Sequence, residues 1–286
     1  MFVTLREVLS AADKGGYAVG AFNANNMEIV QSIIAAAIEE NSPVILQASQ
    51  GALSYAGLEN IVALVEIAVK KTDLPVVLHL DHGTDFAQVM RCIRHGFSSV
   101  MFDGSKLSLE ENIAVTQRVM EVASAVNVSV EAELGKIGGV EDDVSVDERD
   151  ALFTNPAEAQ RFVKETGVDA LAVAIGTAHG PYKGEPKLDF ERLTQIREVI
   201  GGTPLVMHGA SGVPEDAVRE GIRLGIRKVN IDTEIRQAFS GAIARFIKEN
   251  PDNIDSRVMM APAKEAMKEI VRSKMRLFGS AGKGRG

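Results

Sequence analysis

His82, His179 and His208 each stand where an apolar run ends, in Leu80-Asp81-His82-Gly83, Thr177-Ala178-His179-Gly180 and Met207-His208-Gly209. For one histidine alone, a buried ring with satisfied hydrogen bonds is the commoner outcome. Three imidazoles brought to one point suit zinc with an open fourth position. Asp81 would then lie beside the metal, either as a general acid and base or as a carboxylate that only orients a ligand. Asp103 and Glu133 close two further apolar runs; they either offer the zinc a second position or serve as a helix cap and an ion pair. His95, before Gly96 at a helix end, suits the C-terminal dipole, and His79 suits the interior as core or as support for the site.

Glycine beside hydroxyls meets a different need. Gly209-Ala210-Ser211-Gly212 and Asn230-Ile231-Asp232-Thr233 end two neighbouring runs, where loop amides commonly take phosphate, and Lys183, four residues after His179, adds a positive charge. A Gly-Ser-Gly stretch is also simply a turn, so one such loop would mean little.

Residues of this kind need a scaffold that brings strand ends together. β-branched apolar runs fall at 18–22, 44–47, 76–80, 99–102, 129–133, 170–174, 205–208 and 228–231. Each is followed by helical periodicity, with helices beginning near Met27, Leu58, Asp85, Ser108, Pro156, Phe190, Pro214 and Glu234. Eight such units, with an extra helix at 4–12 and another at 261–277, predict an α/β protein, a (β/α)8 TIM barrel formed by one domain over 1–286. A doubly wound open sheet is the alternative, but Gly20-Ala21-Phe22-Asn23 at the first strand is no dinucleotide fingerprint. The connections at 134–155 and 176–189 are too long for simple loops, and the Gly-rich tail at 279–286 reads as a frayed end.

Composition narrows the function classes. A net charge of -8 gives no general attraction for polyanions, so no nucleic-acid partner is expected. Cys92 is the only cysteine, which rules out an intrachain disulfide or a Cys-rich zinc site and fits a reducing compartment. The first fourteen residues mix Arg6, Glu7, Asp13 and Lys14 into an apolar pattern, unlike a leader or a span; a cytoplasmic protein with no membrane partner is expected.

Over nearly its whole length the chain resembles the class II, metal-dependent ketose-bisphosphate aldolases. The resemblance rests on Tyr17-Ala18-Val19-Gly20-Ala21-Phe22-Asn23, Leu80-Asp81-His82-Gly83, Val130-Glu131-Ala132-Glu133-Leu134-Gly135 and Gly138-Gly139-Val140-Glu141-Asp142-Asp143. It continues through Thr177-Ala178-His179-Gly180, His208-Gly209-Ala210-Ser211-Gly212 and Asn230-Ile231-Asp232-Thr233. It implies His82, His179 and His208 as zinc ligands, Asp103 with Glu133 at a displaced zinc position, and Asp81 as acid and base at the C4 hydroxyl. Glu141 matches the acid that moves a proton on the dihydroxyacetone carbon. Gly180, Lys183, Gly209, Ala210, Ser211, Asn230, Ile231, Asp232 and Thr233 match the dihydroxyacetone phosphate site, and Asn23 and Ser49 line the pocket. Arg257 matches an arginine that reaches the far phosphate, in several members from a neighbouring subunit; this implies a homodimer or homotetramer. A monovalent cation, Na+ or K+, would assist phosphate binding.

Two comparisons sharpen the expectation. A Schiff-base aldolase needs a lysine inside the barrel; the run at 170–174 has none, and Lys228 stands where its strand begins. Gly83 and Asp232 look like the enzymes that cleave fructose 1,6-bisphosphate, whereas 138–189 resembles those that cleave tagatose 1,6-bisphosphate. Fructose 1,6-bisphosphate is the reading taken, tagatose 1,6-bisphosphate or a related ketose phosphate the alternative. A zinc hydrolase on the same histidines, or a sugar-phosphate-binding barrel without catalysis, stands further off.

Overall fold

The computed structural model describes residues 2–141, 144–146, 152–182 and 184–284 of the 286-residue chain, with the backbone alone for 140, 141 and 144–146. In chain order the strands are β1 (Val19–Asn23), β2 (Val44–Ser49), β3 (Val76–Gly83), β4 (Ser99–Phe102), β5 (Ser129–Leu134), β6 (Gly138–Glu141), β7 (Val144–Val146), β8 (Ala170–Val173), β9 (Ala178–His179), β10 (Leu205–Met207) and β11 (Ile226–Ile231). The helices are α1 (Leu5–Gly15), α2 (Met27–Glu40), α3 (Gln50–Ala56), α4 (Leu58–Val69), α5 (Phe86–Arg94), α6 (Leu109–Ala125), α7 (Pro156–Thr166), α8 (Phe190–Val199), α9 (Glu215–Arg223), α10 (Thr233–Glu249) and α11 (Ser256–Leu277). Strands β1, β2, β3, β4, β5, β8, β10 and β11 close into a parallel barrel, the (β/α)8 architecture expected from the sequence.

Local chemistry explains most boundaries. Thr4 and Ser108 form capping boxes with Glu7 and Glu111, while Asn26, Asp85, Asn155 and Asp189 accept from first-turn amides of their helices. Helix α3, which turns on the side chain of Ser49, has no counterpart among the expected helices, and α11 starts at Ser256, ahead of the expected 261, with Pro262 inside it. The long connections hold structure of their own. β6 pairs with β7 antiparallel and with β9 in parallel, making a small sheet above the barrel mouth.

The tail is not frayed over its described part: Ser280 is buried against Ser42, and the amides of Gly282 and Gly284 donate to the carbonyls of Glu40 and Asn41. Those bonds satisfy carbonyls at the C-terminal end of α2, which otherwise lack intrahelical partners. Residues 285 and 286 lie outside the described residues.

Strand alternation sorts the barrel interior by depth. Near the strand starts, Val19, Ala21, Ile45, Val77, Ala170, Ala172 and Val206 pack with Leu5, Val8, Leu9 and Ala12 of α1, which plugs that end. Two residues further along, Ile45 gives way to Gln47, Val77 to His79 and then Asp81, and Val206 to His208. These polar side chains are all buried. The apolar plug thus underlies a polar layer that opens only towards the C-terminal mouth.

Candidate active site

Asp81 and His82 are neighbours in sequence, so regular alternation would send them to opposite faces of β3. The register prevents this: Leu80 faces Val100 of β4 but Gly83 faces Phe102, so three steps on one strand match two on the other. The extra residue is a β-bulge, and His82 absorbs it with φ at 47°. Holding a non-glycine residue there costs about 1–3 kcal/mol, a strain typical of functional positions. The bulge also requires Gly83, since a Cβ would meet the Met101 carbonyl oxygen and Leu80 Cδ2, each at 2.7 Å.

The three histidines converge. Their ligating atoms lie within 4.8 Å of one another, and all three side chains are buried. His82 Nε2 stands 3.0 Å from His208 Nδ1. Two nitrogens each about 2.0–2.1 Å from one tetrahedral zinc would be separated by roughly 3.3 Å, so the pair needs little adjustment to share an ion. The far nitrogens are already committed: His82 Nδ1 to Asp103 Oδ2 at 2.9 Å, and His208 Nε2 to Glu131 Oε1 at 2.8 Å. Imidazoles fixed from behind by carboxylates are the usual support of a metal site.

Asp103 caps no helix here; besides His82 it accepts from the Ser105 amide. Glu133 Oε2 is buried 3.6 Å from His208 Nδ1 and receives no hydrogen bond among the described residues, as suits an oxygen that can turn to a cation. His82, Asp103 and Glu133 form a second group of donors close enough to share an ion.

Electrostatics follow the packing. Burial opposes charge on His82, but Asp81, the hydrogen bond with Asp103 and the charge of Glu133 together lift its pKa well above the ordinary value. Burial likewise opposes charge on Asp103, yet the bond and charge of His82 hold its carboxyl well below the usual range. Glu133 moves the other way, raised first by burial and then by the charge of Asp103. Two neighbouring carboxyls are thus driven apart, which is the pattern of a site that handles protons or cations.

Asp81 is held on both oxygens by neutral amides. Gln47 Nε2 donates to Oδ2 at 2.8 Å and also to Asn23 Oδ1 at 2.7 Å, while Asn230 Nδ2 donates to Oδ1 at 3.2 Å. Such donors fix the carboxylate's orientation without contributing a proton of their own.

Beside His179 a cavity of about 240 Å³ is lined by Gly180, Gly209, Ser211, Asn230, Asp232 and Thr233, with Arg236 at its edge. Thr233 begins α10, so a helix N-terminus and glycine-rich amides face the same space, the backbone arrangement that suits a phosphate. Arg236 is paired with Asp232 at 2.7 Å. Tyr182 ties the cavity walls together: its hydroxyl accepts from the Ala178 amide at 2.8 Å and donates to the Gly209 carbonyl at 2.7 Å.

Asn23 and Ser49 end β1 and β2 beside Asp81: Asn23 Oδ1 accepts from the Gln47 amide that also holds Asp81, and Ser49 pairs opposite Asp81 in the register of β2 and β3 while its side chain caps α3. The side chains of Ala210 and Ile231 pack into the hydrophobic core, because in both segments it is the flanking residues that alternation turns to the cavity. Arg257 does not line the cavity of its own chain; its side chain is 88% exposed and paired with Asp255 at 2.8 Å. Lys183 lies outside the described residues, as does the side chain of Glu141, whose backbone closes β6.

The sequence reading assigned no role to Gln47, Tyr182 or Arg236. For Gln47 a signal existed, a polar residue at an inward position of a buried strand. Lys228 was placed at a strand start; it is instead wholly buried inside the barrel, 2.9 Å from Glu131 Oε2, and closed to a substrate carbonyl.

A parallel barrel with three convergent imidazoles, an adjoining carboxylate and a cavity of glycine-rich amides at its C-terminal mouth suits a metal-dependent enzyme of phosphorylated compounds. Comparison with known proteins agrees: the family described as Fructose-bisphosphate aldolase class-II matches residues 3–283, and the chain belongs to that family. It is 45% identical to a fructose-bisphosphate aldolase of Thermus caldophilus, over 99% of this chain and 100% of the relative. It is 47% identical to the D-tagatose-1,6-bisphosphate aldolase subunit GatY of Klebsiella oxytoca, over 98% of each. The crystal structure of the YdjI aldolase from Escherichia coli K12 superposes with a TM-score of 0.87 at 34% identity and full coverage of both chains. Among the described residues no single helix is long and apolar enough to cross a membrane.

Proposed function

We propose that this single-domain aldolase cleaves fructose 1,6-bisphosphate reversibly to dihydroxyacetone phosphate and glyceraldehyde 3-phosphate, with zinc held by His82, His179 and His208. The observation that carries the proposal is the bulge that sets Asp81 beside three convergent imidazoles, next to a cavity lined by glycine-rich amides and the start of α10. Zinc suits this site better than a hard cation because its donors are imidazole nitrogens. When bound, it supplies a Lewis acid for the charge that develops on the dihydroxyacetone fragment.

The protein's own groups supply the rest. One phosphate sits on the amides of Gly209 and Ser211 and the start of α10, helped by Lys183 and a monovalent cation. Asp81, oriented by Gln47 and Asn230, takes the proton from the C4 hydroxyl as the C3–C4 bond breaks. Glu141 then delivers a proton to C3 of the three-carbon fragment, completing dihydroxyacetone phosphate. Arg236 and a neighbouring subunit's copy of Arg257 meet the second phosphate, which makes the working enzyme a homodimer or homotetramer. Asp103 and Glu133 provide the displaced metal position, and the enzyme works in the cytoplasm, in glycolysis.

Tagatose 1,6-bisphosphate is the second reading, favoured by the 47% identity to GatY. Gly83 supports the first: tagatose enzymes tend to carry histidine there, and this backbone has no room for a Cβ. The test measures both sugars with and without chelator, coupling dihydroxyacetone phosphate release to a reductase. Chelator-sensitive turnover with the larger kcat/KM on fructose 1,6-bisphosphate is expected. Turnover that survives complete metal removal would overturn the metal assignment, and a larger kcat/KM on tagatose 1,6-bisphosphate would overturn the substrate.

A further inference from the structure

Below the histidines the barrel holds a charged pair that the proposed reaction does not use. Lys228 of β11 and Glu131 of β5 are both fully buried, with Nζ 2.9 Å from Oε2 and 3.2 Å from Oε1. The same Oε1 meets His208 Nε2 at 2.8 Å. Behind Lys228 stands His79, its Nε2 3.5 Å from Nζ and its Nδ1 bonded to Ser99 Oγ at 2.8 Å. Four strands thus contribute to one continuous chain, from Ser99 through His79, Lys228 and Glu131 to His208.

The position of this chain is costly without a purpose. Buried ion pairs are often no more stabilising than apolar side chains of the same volume, and the layer below is already filled by apolar residues. What the pair does accomplish is directional. An acceptor on Nε2 keeps the proton of the neutral His208 ring there, so Nδ1 is the unprotonated nitrogen, and Nδ1 is the one that faces His82. Without Lys228 the carboxylate of Glu131 would be a lone buried charge, free to turn towards any nearby cation.

We propose that Lys228 and Glu131 are positioning residues for the metal: Lys228 neutralises and aims Glu131, which fixes His208 in the tautomer and orientation that present Nδ1 to the ion. The inference rests on His208 being a metal ligand. It predicts that altering a buried pair one hydrogen bond removed from the proposed ligand changes metal affinity.

The experiment measures the zinc dissociation constant of the full chain by competition with a chromophoric chelator, alongside thermal unfolding of the metal-free protein. Three proteins are compared: wild type, Glu131→Leu with Lys228→Met, and Glu131→Gln with Lys228→Met. Both double variants are uncharged at this position, so neither leaves an orphaned ion that could prevent folding. The Leu/Met variant removes the acceptor from Nε2 and should bind zinc about 10–100-fold more weakly, the usual effect of losing such a partner. The Gln/Met variant keeps an amide oxygen for Nε2 and should recover most of that loss.

A merely structural pair would shift the unfolding temperature and leave zinc affinity within twofold in both variants, which would overturn the inference. Equal weakening in both would also overturn it, because the hydrogen-bond acceptor would then be irrelevant. If wild type itself bound no zinc, the failure would lie in the proposed function and not in this pair.

Discussion

Tyr182 joins through one atom the two loops that carry the proposed ligands His179 and His208, and Tyr182→Phe removes that atom alone. Its hydroxyl lies between the Ala178 amide, next to His179, and the Gly209 carbonyl, next to His208. Burial pushes the phenol up to about 12, so it stays a neutral donor and acceptor throughout the physiological range. Each hydrogen bond contributes about 0.5–1.5 kcal/mol net, so the two together come to roughly 1–3 kcal/mol. If that energy serves mainly to hold the two loops in register, zinc should bind about 5–150-fold more weakly in the variant. The assay is zinc competition against a chromophoric chelator, with circular dichroism as the control for folding. Zinc affinity within twofold of wild type in a folded Phe variant would refute the reasoning, since it would mean that the loops hold their positions without the bridge.

Asp81→Asn should lower kcat by about 10²–10⁴-fold with zinc affinity nearly unchanged, measured by steady-state turnover beside metal content, because it removes the base but no ligand. Gly83→Ala forces a methyl against the Met101 carbonyl and should cost about 1–3 kcal/mol of stability, read from denaturant unfolding. Cys92, fully buried with its thiol pushed up to about 12, chiefly by burial, should react with a thiol reagent only at the rate of unfolding. Rapid labelling of the native protein would contradict that packing.

Much of this site was legible in advance because barrels repeat one rule. A strand's last inward residues face the mouth, so the ends at Asp81-His82, Glu133 and His208 could be read as one site from spacing alone. The bulge at Asp81 and His82 could not be read, since both the regular and the bulged register satisfy the same apolar pattern and only pairing with β4 distinguishes them. Lys228 was misplaced for a related reason: β11 begins at Ile226, two residues before the expected start, and this moves the lysine from the rim into the interior. The side chains of Ala210 and Ile231 pack into the core, so a role for either at the phosphate site would fall to its backbone amide.

The three proposed ligands differ in what carries them. His82 and His208 are held by the barrel itself, through β3 and the end of β10, with Asp103 and Glu131 fixing their rings. His179 instead belongs to β9, a two-residue strand outside the barrel that pairs with β6, His179 opposite Gly139. A Cβ at Gly139 would collide with the His179 backbone, and its φ of 99° suits glycine, so the two segments approach as closely as backbones can. Glu141 lies two residues further along the same strand. The proposed third ligand and the proposed proton-transferring acid therefore share one small sheet. This gives a physical reason for the long connections after β5 and β8: a barrel strand end fixes His82 and His208, and the small sheet ties His179 to the segment that carries Glu141.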